Sequence, residues 1–566
     1  MHLLYQRPAL AILALSEAWA TTATPQRALH CLAGDPCWPS DASWAKLNST
    51  LSRNLVRSLP PAAPCHVPYY NATACAAVRA NWSSASWRSD QPGAYQDTAW
   101  ENGDEPCYID GAQNVTCQQG LVPYYTAVVQ SVQDIQTAVS FARDNKLRTR
   151  IKGAAHDYLG KSSGKGSFAI QTIHMKGITF DDNFIPTGCD ASAHKAVTVA
   201  AGEHWADVYR EADARNVTVV GGAAITVGAA GGWPLGGGHS FLSPQYGLGV
   251  DNIIQFSAVT ADGETKIINE CQNSDLFWAM RGGGGGFAVT TSVTYKIHPP
   301  LSNLTLALLS INVTSDTLVP TISKYLDFQT TLADANISGY TYVLSPTNMA
   351  AILAQPNSDG NIEKTNATFA PLFEYAQQSA GKVQIGTALA VFPSQQALFA
   401  AYPQDDGQGT AAILGSRLFP RSAFESSAGN KKLAEYLADV SASNFIAILH
   451  LVGGGKVNEP APDAMGVNPS WRTALEHIVI SHAWTSNTSI PDRDEIRKST
   501  TQKTQELAQF VPGLGAYVNE ADVNEPEWQK TFWGHNYERL LEIKSRYDPT
   551  GVLTCGKCVG DDVFGS

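Results

Sequence analysis

The sequence predicts an α+β fold in more than one domain, on three observations. A chain of 566 residues is longer than a single hydrophobic core organises. From Pro123 to about Pro300, short β-type runs alternate with amphipathic helical stretches. Between about residues 301 and 515, longer helical stretches alternate with β-rich runs such as "AILHLVGGG" and "EHIVISHAW", which marks a second α+β domain. No internal repeat is visible.

The N-terminal stretch "MHLLYQRPALAILALSEAWA" joins a basic residue, Arg7, to an apolar run from Ala9 to Leu15 and then to Ala18-Trp19-Ala20. That is the three-part form of a cleavable secretory signal, so residues 1–20 are expected to be removed. The run is too short to cross a bilayer and no later stretch is long enough, so no membrane span is expected. Residues 21–118 are rich in Pro, Cys, Trp and Ser without periodicity and predict an irregular, disulfide-pinned extension. Six of the ten cysteines crowd there: Cys31, Cys37, Cys65, Cys75, Cys107 and Cys117. An even set of this density predicts disulfides, with the pairing undetermined. Sequons of the N-x-[ST] type start at Asn48, Asn71, Asn81, Asn114, Asn216, Asn303, Asn312, Asn336, Asn366 and Asn487, and predict N-glycans. Together these features place the protein outside the cell or within the secretory system.

Further along, "TAVVQ" reads as a strand. Ser131 and Asp134 then form a capping box ahead of a helix whose apolar face is Val132, Ile135, Val139 and Ala142. "RTRIKG" is the next strand, so the following "AAHDYLGKSSGKGS" is a loop leaving a strand end, a common place for ligand chemistry. "KAVTVAAG", "HWADVYREADAR" and "NVTVVGG" predict strand, helix and strand. "IIQFSAVTADGETKIIN" predicts a hairpin turning at Asp262-Gly263. "DLFWAMRGGGGGFAVTTSVTYKIHP" predicts a short helix, a glycine loop and a strand. The terminal "FWGHNYERLLEIKSRYDPTGVL" predicts a helix bearing Tyr537, Leu540, Leu541 and Tyr547, stopped by Asp548-Pro549.

Composition narrows the function. A formal net charge of -12 with no basic cluster argues against a nucleic-acid partner. The "GGGGG" run from Gly282 lacks the Lys-Ser/Thr of a nucleoside-triphosphate loop and enters a strand rather than a helix. H-E-x-x-H is absent, and no G-x-S-x-G elbow makes serine hydrolase chemistry the leading reading. "CGKC" at Cys555–Cys558 has no second pair to complete a zinc site, and a disulfide suits an exported chain better, so no metal is expected. What remains is two glycine-rich loops after strands, residues 153–167 and 221–240, whose backbone amides can approach an anionic ligand closely.

Four motifs in order, "IKGAAHDYLGKSSGKGSFAIQT", "GGWPLGGGHSFLSPQYGLGVDNI", "SDLFWAMRGGGGGFAVTTSVTYKI" and "NYERLLEIKSRYDPTGVL", supported by "GDPCWPS" and "AYVNEAD", resemble the FAD-linked oxidoreductases of the vanillyl-alcohol oxidase class. Within that class they look most like the secreted fungal form of the berberine-bridge-enzyme-like branch. The resemblance implies a two-subdomain FAD-binding module over residues 119–300, an inserted antiparallel-sheet substrate domain over 301–515, and a C-terminal segment, 516–566, that returns to the flavin. It implies covalent FAD on His156, with Gly153, Ala154, Ala155, Asp157, Gly160, Val227, Gly228, Gly237, Gly238, His239 and Asn536 as cofactor-binding positions. Two departures stand out. Fungal members usually carry a glycine just before this histidine, and alanine at either Ala154 or Ala155 is strained if its φ is positive. Where bicovalent members carry a cysteine this chain has Ala224, so a cysteinyl link is excluded.

The resemblance further implies oxidation of a small organic molecule, plausibly a secondary-metabolite intermediate, with molecular oxygen as acceptor. Candidate catalytic residues are Glu538 and Tyr537, in the helix that the family folds beside the flavin, and His482 on the "EHIVISHAW" strand, for which a structural role is the alternative. Some relatives use the scaffold for double-bond isomerisation, in which Glu538 would act as a general acid; a noncatalytic glycoprotein is a third reading.

Overall fold

The computed structural model describes residues 30–190, 192–402 and 408–565. The expected signal segment lies outside the described residues. Three sheets organise the chain. In the first, β2 (Tyr125–Val128), β3 (Thr149–Lys152) and β4 (Phe168–Gln171) run parallel in the order β2-β4-β3, and β1 (Leu55–Arg57) adds to β2 antiparallel. The helix Val132–Asp144 starts at the expected Ser131–Asp134 capping box, and its buried face of Ile135, Ala138, Val139 and Ala142 packs with Phe168 and Trp44. Trp44 comes from the N-terminal extension, whose Ser52 also donates twice to the Asp134 carboxylate.

That extension is more regular than its composition suggests. It holds helices Asp41–Thr50, Ala72–Ala80, Ala85–Asp90 and Ala99–Asn102, the first three begun by Ser40, Asn71 and Ser84 side chains that accept from backbone amides in the first turn. Helices this short are marginal alone and persist here through caps, packing and cross-links. All ten cysteines pair: Cys31–Cys37, Cys65–Cys75, Cys107–Cys117, Cys189–Cys271 and Cys555–Cys558. The "CGKC" pair thus closes on itself. Eight of the ten sequon asparagines are exposed, Asn303 and Asn336 being half-buried.

The second sheet is antiparallel, in the order β5-β6-β9-β7-β8, from β5 (Ile178–Phe184), β6 (His194–Ala200), β7 (Ile253–Val259), β8 (Thr265–Ile268) and β9 (Val289–Lys296). The β7–β8 hairpin turns at Gly263, whose φ is 84°, as its Asp-Gly pair requires. "NVTVVGG" forms no strand: only Thr218 bridges, to His298, and the chain then runs as a buried loop. A Cβ at Gly221 would lie 2.4 Å from the Trp205 ring, so this stretch is shaped by close packing rather than by ladder pairing.

The third sheet has seven antiparallel strands in the order β13-β10-β12-β11-β15-β16-β14: β10 (Leu304–Val313), β11 (Ser338–Ser345), β12 (Asn348–Pro356), β13 (Val383–Phe392), β14 (Ala411–Pro420), β15 (Ile446–Leu451) and β16 (Ala474–Trp484). Helices Leu318–Asp327, Ser427–Ala442 and Ile490–Ala508 cover one face over a core that includes Leu449, Ile478 and Ile480. Strand alternation sends the neighbours His450, His477, Val479 and Ser481 to the other face, toward the first two sheets.

Candidate active site

The β3 strand ends at Lys152 and the chain enters the loop that carries His156. Asp157 folds this loop by accepting from the backbone amides of Leu159 and Ser162 and from the Ser162 hydroxyl. Gly160 turns it at φ 69°, with the face of Trp100 where a side chain would stand. Ala155 sits at φ 61°, in the left-handed region, and Ala154 does not. Both alanines are tied to the N-terminal extension: the Ala154 carbonyl accepts from Ser89 and Gln96, and the Ala155 carbonyl from the Gln96 amide. The His156 Nε2 lies 2.9 Å from the Thr226 hydroxyl. With Nε2 carrying the proton toward Thr226, Nδ1 holds the lone pair. Burial, with His204 nearby, pulls the imidazole down to about 3, so the ring is neutral at ordinary pH.

Two cavities share His156, Asp157, Tyr158 and Glu520 in their walls. The wall of the first also includes Gly153–Ala155, Ala224, Val227–Gly228, Gly231–Trp233, Gly285–Gly286 and Leu553–Cys555. The C-terminal segment is held there by one buried pair: Lys544 donates to Asp548 and to the Gly286 carbonyl, while Asp548 accepts from the Val552 and Leu553 amides. Arg150 lines the same cavity and donates to the carbonyls of Thr149, Ser163 and Thr554 rather than to a carboxylate. Lys161 joins it, pulled down to about 8 by burial. A glycine-walled trough with a buried Arg150 and a half-buried Lys161 suits an extended anionic cofactor such as a dinucleotide diphosphate.

The second cavity is lined by Asp97, Ile448, His450, Val479 and Ser481 in addition to the shared residues. Its polar wall is a cluster of three imidazoles around one carboxylate. The β15–β16 register sets His450 opposite His477, with their Nδ1 atoms 3.4 Å apart. Glu520 Oε2 lies 3.5 Å from each of those nitrogens, and Oε1 lies 3.0 Å from His239 Nε2. The Glu520 loop is positioned by its neighbours: the Asn519 amide donates to the Gly232 carbonyl and to the Tyr517 hydroxyl, which accepts from the Gly238 amide. Gly238 is needed at that point, because its φ is 76° and a Cβ would press on Trp233. Burial pushes the Glu520 carboxyl up, but His239 and His450 more than offset it, and the group is held below its ordinary value. Burial drives His450 and His477 well below theirs. Asp97, with one oxygen unpartnered, is pushed by burial up to about 8.

Residues 123–269 match the FAD binding domain family, and residues 516–556 match the family described as berberine and berberine like. An uncharacterized FAD-linked oxidoreductase of Arthroderma benhamiae is 41% identical over 97% of both chains. The chain belongs to the FAD-linked oxidoreductases. In fold, this oxidoreductase superposes on the VAO-type flavoprotein MtVAO713 of Myceliophthora thermophila with a TM-score of 0.87 at 26% identity, covering 95% of this chain and 98% of that one. It is also similar, at a TM-score of 0.65 and 21% identity over 86% of this chain and 98% of that one, to the glucooligosaccharide oxidase of Acremonium strictum, whose flavin is described as 6-S-cysteinyl, 8α-N1-histidyl FAD. The oxidoreductase is an FAD protein of α+β, VAO-type architecture.

Of the positions expected to bind the cofactor, Gly153, Ala154, Ala155, His156, Asp157, Val227 and Gly228 line the first cavity. Gly160, Gly237 and Gly238 shape the loops behind it, and His239 joins the Glu520 cluster. Asn536 is buried away from it, donating to the Met465 and Val467 carbonyls. The three catalytic candidates line neither of the two cavities. Glu538 is exposed on the outer face of its helix, so the acid invoked for isomerisation points to solvent. Tyr537 packs against Trp528 and Trp533 and donates to Asp562. His482 stands on the helix-covered face of β16 against Phe445, opposite in direction to His477. Sequence reading passed over Glu520, His450 and His477; "AYVNEAD" and the two β-rich runs contain them, but nothing in their spacing joins them.

Proposed function

We propose that this oxidoreductase carries FAD on His156 and oxidises a hydroxyl-bearing small organic molecule, with molecular oxygen as electron acceptor. The observation that carries the reading is His156 itself. Its Nε2 lies 2.9 Å from the Thr226 hydroxyl, an arrangement in which an Nε2–H tautomer would leave the Nδ1 lone pair for the flavin, and it stands in a wall shared by the glycine-lined cavity and a second cavity with an ionisable wall. The histidyl N1 linkage described for glucooligosaccharide oxidase is the same type of attachment, and Ala224 leaves no sulfur for a second one. When bound, FAD supplies a two-electron acceptor. The chain's own residues supply the rest. Arg150 and Lys161 balance the diphosphate charge. Glu520, held below its ordinary value by its imidazole neighbours, accepts the substrate hydroxyl proton, and Asp97 lines the same pocket. The expected export signal, ten sequons and five disulfides support an exported, glycosylated enzyme.

The test is acid precipitation of purified wild type and His156→Ala, followed by absorbance of pellet and supernatant. Flavin remains with the wild-type pellet and enters the variant's supernatant; free flavin from wild type overturns the attachment. Substrate turnover is then followed by oxygen uptake and peroxide formation, which should be equimolar.

A further inference from the structure

We propose that His450, His477 and Glu520 form a binding site for one zinc ion, with His239 as the group that orients Glu520. The donor atoms His450 Nδ1, His477 Nδ1 and Glu520 Oε2 make a nearly equilateral triangle with edges of 3.4, 3.5 and 3.5 Å. Ligands at about 2.0–2.1 Å from a tetrahedral zinc lie about 3.3–3.4 Å apart, whereas cis ligands of an octahedral ion at the same distance lie about 2.8–3.0 Å apart. The observed edges match the tetrahedral face. All four residues offer ligand atoms within 4.8 Å of one another.

Glu520 Oε2 is buried with no hydrogen-bond partner, and His477 has no partner for its second nitrogen. The two Nδ1 atoms lie 3.4 Å apart, a contact at the long limit of a hydrogen bond that uses one lone pair and leaves the carboxylate oxygen unpartnered. His239 meets the other carboxylate oxygen at 3.0 Å and is steadied by the Tyr340 hydroxyl at 3.5 Å, the placement of an outer-shell group that fixes a ligand's direction. The ligands also have rigid origins. Two stand on paired strands, and the third is on a loop tied down through Tyr517 and Asn519.

Three protein ligands leave a fourth position for water or substrate, as in zinc sites that act on substrates. His450 and Glu520 line the second cavity, whose wall also includes His156, so an exchangeable position there faces the space where substrate meets the flavin. An oxygen donor suits it. The substrate class selected is therefore one with a hydroxyl or carbonyl oxygen at the carbon that is oxidised. The inference deepens the proposed reading of this cluster, but its test measures metal rather than turnover, so either can fail while the other stands.

The experiment uses the flavin-loaded protein, free of any histidine tag, dialysed against a chelator and then titrated with Zn²⁺ in competition with a chromophoric indicator. Wild type binds one zinc per chain. Glu520→Gln and His477→Gln each weaken binding more than about 10-fold with flavin still bound at wild-type stoichiometry, and His482→Gln, on the other face of β16, binds as wild type. Cobalt-loaded wild type, which needs no variant, shows the intense visible bands of a tetrahedral ion. Zinc occupancy below about 0.1 per chain, equal binding by Glu520→Gln, or the weak bands of octahedral cobalt overturns the proposal.

Discussion

Ala155 is the residue before the proposed flavin attachment point, and its φ of 61° can be tested against that of its neighbour. An alanine in the left-handed region carries a steric cost of about 1–2 kcal/mol, which glycine removes. Against that relief stand the lost buried methyl, about 0.8 kcal/mol, and the freedom glycine adds to the unfolded chain, about 0.4–1 kcal/mol. The terms nearly cancel, so Ala155→Gly should shift stability by less than about 1 kcal/mol. Ala154 is buried to the same degree, 5% exposed against 6%, but has no positive φ. Ala154→Gly therefore loses both the methyl and the entropy with no relief, about 1.2–1.8 kcal/mol. The assay is urea unfolding of both variants and wild type at matched flavin content, followed by tryptophan fluorescence. Equal destabilisation by the two glycines would refute the argument, because it would mean that the alanine at 155 carries no strain for glycine to relieve.

Other outcomes follow from the site. Glu520→Gln should lower kcat/KM by about 10²–10⁴-fold while flavin stays bound, and turnover within tenfold of wild type removes it from the proton step. His482→Ala and His477→Ala alter the two faces of one strand: the first should cost about 1 kcal/mol in unfolding experiments with turnover unchanged, and the second should abolish turnover. Glu538→Gln should leave both stability, within about 0.5 kcal/mol, and turnover unaltered, as befits an exposed side chain. Glu476 is buried with both carboxylate oxygens unpartnered and is pushed by burial up to about 8 from 4.5. Between those values the folded chain keeps a proton that the unfolded chain has released, so this group makes stability fall as pH rises through the window, at about 1.4 kcal/mol per unit. Calorimetry across that range should show a flatter dependence for Glu476→Gln; an unchanged slope counts against the buried proton.

What could be read from sequence follows the range over which each signal acts. The Ser131–Asp134 capping box and the Asp262-Gly263 hairpin depend on neighbours three or four residues apart, and both stand as read. The His156 loop was legible because its elements are contiguous: a strand, small residues, then one histidine. Even the conditional strain at Ala154 or Ala155 resolved onto one of them. "NVTVVGG" failed because β-branched residues describe a fit to a half-buried surface, and here the packing partners are Trp205 and Tyr209 rather than a neighbouring strand. Glu538 lies on an exposed face for a related reason. Helical spacing places it on a face, but which face is buried depends on the rest of the fold.

The Glu520 cluster is the limiting case. Its four members lie at 239, 450, 477 and 520, in a glycine loop, two strands and a C-terminal turn, and no pair is closer than about twenty-five residues in the chain. A spacing rule for metal or acid–base chemistry needs ligands on one helix or hairpin, so its silence here carried no information. Strand alternation does the assembling instead. His477 and His482 lie five residues apart on β16, an odd separation, so the pleat sends one into the pocket and the other beneath the helices. Once the β15 register places His450 opposite His477, the only further requirement is a carboxylate within reach, and the Tyr517–Asn519 contacts deliver Glu520. The sheet's period and the C-terminal segment's return therefore explain together why this imidazole–carboxylate wall is built from residues that no local motif contains.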